Sequence, residues 1–93
     1  MKKQLPQKGE VGYVSEEDKY FSTHDLALGS ALIMRGYEMV TLDKGDPRKA
    51  RFVFKGDKNI SDTVKDFWDG RLPVDAQGYF NVIRRIKNQL YSE

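Results

Sequence analysis

The chain has 93 residues, of which 39% are hydrophobic and 32% are charged, and its formal net charge is +2. This length suffices for one small domain with one hydrophobic core, and the composition is typical of a folded domain with a well-solvated surface. The sequence contains no cysteine, which excludes disulfides and thiolate metal sites, and no apolar run as long as a membrane-spanning helix. Because the N-terminal residues also lack a secretory signal pattern, we expect a cytoplasmic protein with no membrane contact.

Residues 1–18 mix glycine, proline, glutamine and charged residues without a hydrophobic period. This composition predicts a flexible or clasping arm, followed by a single domain over residues 19–93. The spacing of Val11, Tyr13 and Val14 would allow a short piece of the arm to lie on a sheet edge or on a second subunit.

A short strand at residues 20–21 precedes a strong helix signal. Ser22 or Thr23 is predicted to cap this helix, with Asp25 three residues after Ser22 in the manner of a capping box. The helix is apolar around most of its circumference, which favours a central position with neighbours on two sides. Gly36 follows where a left-handed residue is needed to end the helix.

Two segments rich in β-branched and aromatic residues, 37–42 and 50–55, are separated by a loop with turn residues (DKGDPRK). This pattern predicts a β-hairpin with a long basic loop. Because side chains alternate along a strand, Phe52 and Phe54 share one face with Ala50. The opposite face carries Arg51, Val53 and Lys55.

Two further helices complete the chain. The first is short, is capped by Asn59 or Ser61 and ends at Gly70. The second begins at Asp75 and carries an apolar stripe formed by Tyr79, Val82, Ile83, Ile86 and Leu90. The predicted order is therefore β-α-β-β-α-α. The simplest layered arrangement is an α+β fold in which a small three-stranded antiparallel sheet is packed on one face by helices.

Several segments of the chain are distinctive when taken together. They are Ser22-Thr23-His24-Asp25-Leu26, Gly36-Tyr37-Glu38, Arg51-Phe52-Val53-Phe54, the helix end from Phe67 to Gly70, the Val74-Asp75 cap, and Arg84, Arg85 and Lys87 on the last helix. In these segments, across residues 20–91, the chain resembles a family of short bacterial, archaeal and phage-borne domains of unknown function. The resemblance supports the same fold and a prokaryotic or phage origin, and it implies no particular activity.

The alternating phenylalanines of RFVF, residues 51–54, allow two interpretations. An RNA-recognition sheet carries aromatic residues at alternate positions of a central strand, where bases stack on them. The glycines of that motif are missing here, and we do not expect its split β-α-β arrangement from this helix-rich pattern. We therefore interpret Phe52 and Phe54 as core residues beneath the helices.

Basic residues are concentrated between Lys44 and Lys58, where six of them accompany two acidic residues. Four are candidates for non-specific contact with DNA or RNA phosphates, namely Arg48, Lys49, Arg51 and Lys55. The alternative is a solvated outer face whose charges are neutralised by Glu38, Asp46 and Asp57.

The last helix offers a second candidate surface beside its apolar stripe. Residues at helical spacing form an aromatic and basic flank, namely Phe80, Arg84, Lys87 and Tyr91. Arg84 and Lys87 are candidates for nucleic-acid contact, while Phe80 and Tyr91 are candidates for a protein partner or a second subunit. The alternative is that these long side chains only cover the edge of the core.

Trp68 is a further candidate anchor for a protein partner, because aspartates surround it. The competing interpretation is that this tryptophan lies at the edge of the core, as a lone tryptophan in a small domain usually does.

We expect no catalytic residues, no metal site and no cofactor. His24 is the only histidine, and its neighbours at a helix start point in different directions, so they do not form a hydrolase triad. The segment from Asp57 begins like a calcium loop. However, Asp62 occupies the position of the required glycine and Trp68 that of the glutamate.

The leading hypothesis is a small non-enzymatic binding or accessory protein of a prokaryote or its mobile elements, which contacts nucleic-acid backbone through the basic hairpin. The alternative is a protein–protein interaction module, either a homodimer or a phage-type inhibitor or adaptor. That module would use the first helix, Trp68 and the N-terminal arm.

Overall fold

The computed structural model describes residues 13–15, 19–45 and 49–92. These ranges contain β1 (Tyr13–Ser15), β2 (Tyr20–Thr23), α1 (Leu26–Met34), β3 (Met39–Asp43), β4 (Arg51–Lys55), α2 (Ile60–Trp68) and α3 (Ala76–Leu90). The predicted α+β class and the order β-α-β-β-α-α, counted from β2, are confirmed. Apart from β1, the arm predicted for residues 1–18 lies outside the described residues. In the described part of the chain, no helix has both the length and the apolar character needed to cross a membrane.

The sheet has the strand order β1-β2-β4-β3, and all neighbouring strands are antiparallel. The short strand β1 therefore adds one edge strand to the three predicted strands. Because β4 is antiparallel to both β2 and β3, those two strands run in the same direction on either side of it. With α1 connecting them, they form a split β-α-β unit. Our expectation that this arrangement does not occur is wrong, since the order of elements along the chain does not decide which strand lies in the middle.

The start of α1 differs from the sequence prediction. Asp25 is the N-cap, and its Oδ1 accepts a hydrogen bond from the Leu28 amide at 2.8 Å. Thr23 belongs to β2 and is buried, and its hydroxyl accepts a hydrogen bond from the Asp25 amide at 3.1 Å. The predicted cap by Ser22 or Thr23 is therefore wrong, because pairing with β4 keeps both residues in the strand.

The end of α1 is as predicted. Gly36 has a φ of +94°, and the Tyr37 amide donates to the Leu32 carbonyl at 3.0 Å, which completes a Schellman motif. The second helix ends in the same way at Gly70, whose φ is +75°. Glycine is required at both positions because other residues are strained in this left-handed conformation.

The caps of α2 and α3 differ from each other. Asn59 is the N-cap residue of α2, but its side chain makes no capping hydrogen bond, and the Asn59 amide instead donates to Asp57 Oδ1 at 2.9 Å. Asp75 caps α3 as predicted, since its Oδ2 accepts a hydrogen bond from the Gly78 amide at 2.7 Å.

Strands β3 and β4 form the predicted hairpin. Asp43 stands opposite Arg51 and Thr41 opposite Val53, while a register shift between Met39 and Thr41 leaves Val40 in a bulge. Residues 46–48 of the connecting loop lie outside the described residues.

The hydrophobic core lies between one face of the sheet and the helices. Phe52 and Phe54 are 2% and 0% exposed, so their predicted burial is confirmed. The first helix is buried along much of its length and contacts β2, α2 and α3. The core also includes Phe21, Leu28, Leu32, Ile60, Val64, Val82, Ile86 and Leu90. Burial of one face of β4 leaves its other face for solvent or a ligand.

Candidate nucleic-acid interface

The sheet face that points away from the helices is largely exposed, and we call it the outer sheet face. In β2, Phe21 and Thr23 point into the core, so Tyr20 and Ser22 point outward. With the strand register, this places on the outer sheet face Tyr20, Ser22, Thr41, Asp43, Arg51, Val53 and Lys55. All of these except Ser22 and Val53 are exposed.

Two of the predicted phosphate-contact residues lie on this face. Arg51 and Lys55 are the first and last residues of β4, about 13 Å apart at the usual rise of a strand, and both are exposed. Lys49 is also exposed and lies two residues before β4. Arg48, the fourth candidate of the hairpin, lies outside the described residues.

Arg51 has an acidic neighbour on the adjacent strand. Its Nη2 lies 3.9 Å from Asp43 Oδ2, and the two side chains are 49% and 56% exposed. An ion pair this exposed contributes little to stability, because water screens it and two flexible side chains must be ordered. The guanidinium group therefore lies near Asp43 but remains accessible to another anion.

Lys44 does not belong to the outer sheet face, although it is the first residue of the basic segment. Its Nζ donates to the carbonyls of Gln89 at 2.6 Å and Ser92 at 3.2 Å, at the C-terminal end of α3. A cation there satisfies open carbonyl groups and interacts favourably with the helix dipole. The basic segment is thus divided between fold stabilisation and the outer sheet face.

A shallow groove of about 370 Å³ adjoins Lys55 at the end of the sheet. Lys55 and Arg35 line it together with the carboxylates of Glu38 and Asp57. The Tyr37 hydroxyl donates to Asp57 Oδ1 at 3.0 Å, and burial, followed by the influence of Asp57, raises the pKa of Tyr37. Because two cations face two anions, the groove itself has no preference for an anionic ligand.

The aromatic and basic residues of α3 form a second exposed surface, which we call the α3 flank. Phe80 and Tyr91 are 57% and 67% exposed, and Arg84 and Lys87 are exposed between them. The Arg84 guanidinium carbon lies 5.6 Å from the centre of the Phe80 ring, within the range of a cation–π interaction.

Trp68 occupies the position of a core-edge residue. It is partly buried and packs against the core, with its ring 4.9 Å from that of Phe67 in an edge-to-face arrangement. Arg71 forms ion pairs with Asp69 at 3.3 Å and Asp66 at 3.8 Å. The acidic surroundings expected for a partner anchor are therefore partly neutralised.

The residues around His24 do not converge on one point. Its Nδ1 lies 3.0 Å from the Ala50 carbonyl oxygen, so this nitrogen donates the hydrogen bond. Ser22 lies on the outer sheet face, Thr23 lies in the core, and Asp25 caps α1. Among the residues that the structure describes, no group of three or more potential ligands for a metal ion occurs.

Sequence reasoning missed two residues of the outer sheet face. Tyr20 is 39% exposed and stands directly opposite Lys55, and Asp43 pairs with Arg51. Alternation with the buried Phe21 was a signal for an outward Tyr20. Its proximity to Lys55 depends on the pairing of β2 with β4, which residues adjacent in sequence do not reveal.

Comparison with known proteins identifies one family. Residues 18–92 match the family model described as "Domain of unknown function (DUF5659)", which covers the outer sheet face and all three helices. No curated protein matches the chain, and no solved structure does. The resemblance seen in the sequence is thus confirmed, and the chain belongs to the DUF5659 family of domains of unknown function.

Proposed function

We propose that this protein is a small non-enzymatic binding protein that contacts the nucleic-acid backbone through the outer sheet face. The exposure of Arg51 and Lys55 on one face of the central strand β4 is the observation that supports this most. Cations spaced along an open surface suit a chain of phosphates, and such contacts do not distinguish base sequences. We further propose that it acts in the cytoplasm of a prokaryote or belongs to a mobile element. The cysteine-free sequence agrees with a reducing compartment.

Asp43 sets the strength of the proposed contact. Its carboxylate and a phosphate would compete for the same guanidinium group of Arg51. A phosphate offers a planar guanidinium two acceptor oxygens, and its binding releases counterions from the nucleic acid. We therefore infer that binding proceeds by exchange of Asp43 for phosphate, at a small cost because the pair is exposed.

The test is fluorescence anisotropy with labelled oligonucleotides of about 15 nucleotides, between roughly 50 and 200 mM salt. Arg51→Ala and Lys55→Ala should each weaken binding and reduce the salt slope by about one contact. Asp43→Asn should strengthen binding, because it removes the competing carboxylate. Lys65→Ala is the matched control, since it removes the same charge from α2, where Lys65 pairs with Asp69.

Two outcomes would contradict the proposal. One is the absence of any anisotropy change with wild-type protein at the lowest salt, for both single strands and duplexes. The other is an equal loss of affinity in Lys65→Ala and Arg51→Ala, because the loss would then reflect net charge and not the outer sheet face.

A protein–protein interaction module is the second candidate, and the exposed rings of the α3 flank favour it. Phe80 and Tyr91 are the most exposed large apolar side chains in the described ranges. Aromatic residues and arginine are common at protein interfaces, and Arg84 lies beside Phe80. The first helix supplies no such surface, because the sheet and the other helices cover it.

A further inference from the structure

We propose that the ligand of the outer sheet face is a single strand, with one base stacked on Tyr20 and the neighbouring phosphate held by Lys55. This inference rests on the proposed function. Tyr20 is an exposed aromatic residue of this face, and it pairs directly with Lys55 across β2 and β4. A flat ring beside a flexible cation offers contacts for both parts of one nucleotide.

The position of Tyr20 in the sheet leaves room for a base. Both β2 and β4 are inner strands, so Tyr20 is not on an edge strand, although it lies at the end of β2. Its neighbours on the same face include the small side chain of Ser22 and the half-buried Val53, which stand opposite each other in the next outward-facing pair of the register. A base lying against the tyrosine ring would therefore meet the partly buried side chains of Ser22 and Val53.

The shape of the outer sheet face favours a single strand over a duplex. In a duplex, the faces of the bases are hidden in the stack, and proteins reach base edges with a helix or ribbon that enters a groove. The described residues of the outer sheet face belong to strands, and none is part of a helix. An unpaired base can turn its face to a side chain, as bases do on other open sheets.

The experiment compares wild-type protein, Tyr20→Phe, Tyr20→Leu and Tyr20→Ala by anisotropy. The probes are single strands of about 15 thymidines or uridines and a duplex of the same length. We expect wild type and Tyr20→Phe to prefer the single strand. Tyr20→Leu and Tyr20→Ala should lose roughly tenfold in single-strand affinity with an unchanged salt slope. Tyr91→Ala is the matched control, since it removes an exposed tyrosine from the α3 flank.

The leucine variant distinguishes loss of stacking from a folding defect, because it has no flat ring but retains an apolar side chain that is compatible with a strand. Equal affinity of wild type for single strand and duplex would overturn the single-strand inference, and so would wild-type affinity in Tyr20→Leu. Both results would leave the phosphate contacts of Arg51 and Lys55 in place. Absence of binding to every probe would overturn the proposed function together with this inference. Comparison of the affinities for thymidine and uridine strands shows whether the protein prefers DNA or RNA.

Discussion

Tyr79 illustrates how one side chain joins two elements at the edge of the core. Its hydroxyl donates to the Ala27 carbonyl at 2.9 Å, which links α3 to α1. Burial raises the pKa of Tyr79 above its ordinary value of 10.0, and the charge of Asp25 acts in the same direction. The folded protein therefore keeps this hydroxyl protonated at a pH where the unfolded chain loses the proton.

This difference predicts a loss of stability at alkaline pH. The contribution of Tyr79 to the free energy of unfolding is fully present below a pH of about 10. It is lost as the pH rises through the raised pKa of the folded state, because the unfolded state binds fewer protons in this range. Tyr79→Phe should lower the free energy of unfolding by about 1 kcal/mol at neutral pH, because the hydrogen bond is lost. It should also reduce the fall in stability at alkaline pH. The part of that fall that comes from the raised pKa of Tyr37 should persist. Urea unfolding at several pH values measures both effects, with Tyr91→Phe as the exposed control. An undiminished decline in Tyr79→Phe would refute this account.

At the scale of elements, two glycines in and after α1 have different roles. Gly36 ends the helix with a φ of +94°, and an added Cβ there would meet no atom within 4 Å. Gly29 lies inside the helix, and an added Cβ would lie 3.5 Å from the Phe52 ring, an ordinary van der Waals distance. A methyl group thus strains the backbone at Gly36 but fits the packing at Gly29.

We therefore expect the same substitution to have opposite effects at these two positions. Gly36→Ala should lower the free energy of unfolding by about 1–2 kcal/mol, because the left-handed conformation is strained for alanine. Gly29→Ala should raise it by about 0.5–1 kcal/mol, because alanine favours the helix. Chemical denaturation of the two variants beside wild type measures both changes. A stabilised Gly36→Ala would contradict the backbone strain expected at Gly36, and a destabilised Gly29→Ala would contradict the space described beside Phe52.

At the scale of the whole molecule, the two candidate surfaces belong to different layers. The outer sheet face lies on the side of the sheet away from the helices, whereas the α3 flank lies on the helical layer. A substituted residue on one surface does not directly contact the other surface. We therefore expect the two proposed functions to be separable by mutation.

Sedimentation equilibrium can test the α3 flank as an interface between two copies. If this surface self-associates, wild-type protein should form dimers, and Phe80→Ser with Tyr91→Ser should give monomers that retain nucleic-acid binding. Arg51→Ala should leave the association unchanged. Wild-type protein that is monomeric at every concentration would exclude the homodimer and leave only a different protein as the partner of this surface.

The local parts of the fold followed from the sequence because they depend on residues close together in the chain. Alternation in β4 predicted the buried Phe52 and Phe54, and the cap at Asp75 and the turn at Gly36 were identified correctly. The cap of α1 was misplaced because Thr23 is held in β2 by its pairing with β4. Capping of the helix by Ser22 or Thr23 is incompatible with the pairing of β2 and β4, and the strand pairing is what the structure contains.

The sequence by itself determined the α+β class, the order of elements and the outward position of Arg51 and Lys55, because periodicity and turn chemistry act over a few residues. Only the tertiary structure decided which basic residues are available to a ligand. Lys44 is committed to the end of α3, 45 residues away at Gln89, and Tyr20 is brought beside Lys55 by β2–β4 pairing. Such contacts join residues that are far apart in the sequence, and local sequence patterns do not predict them.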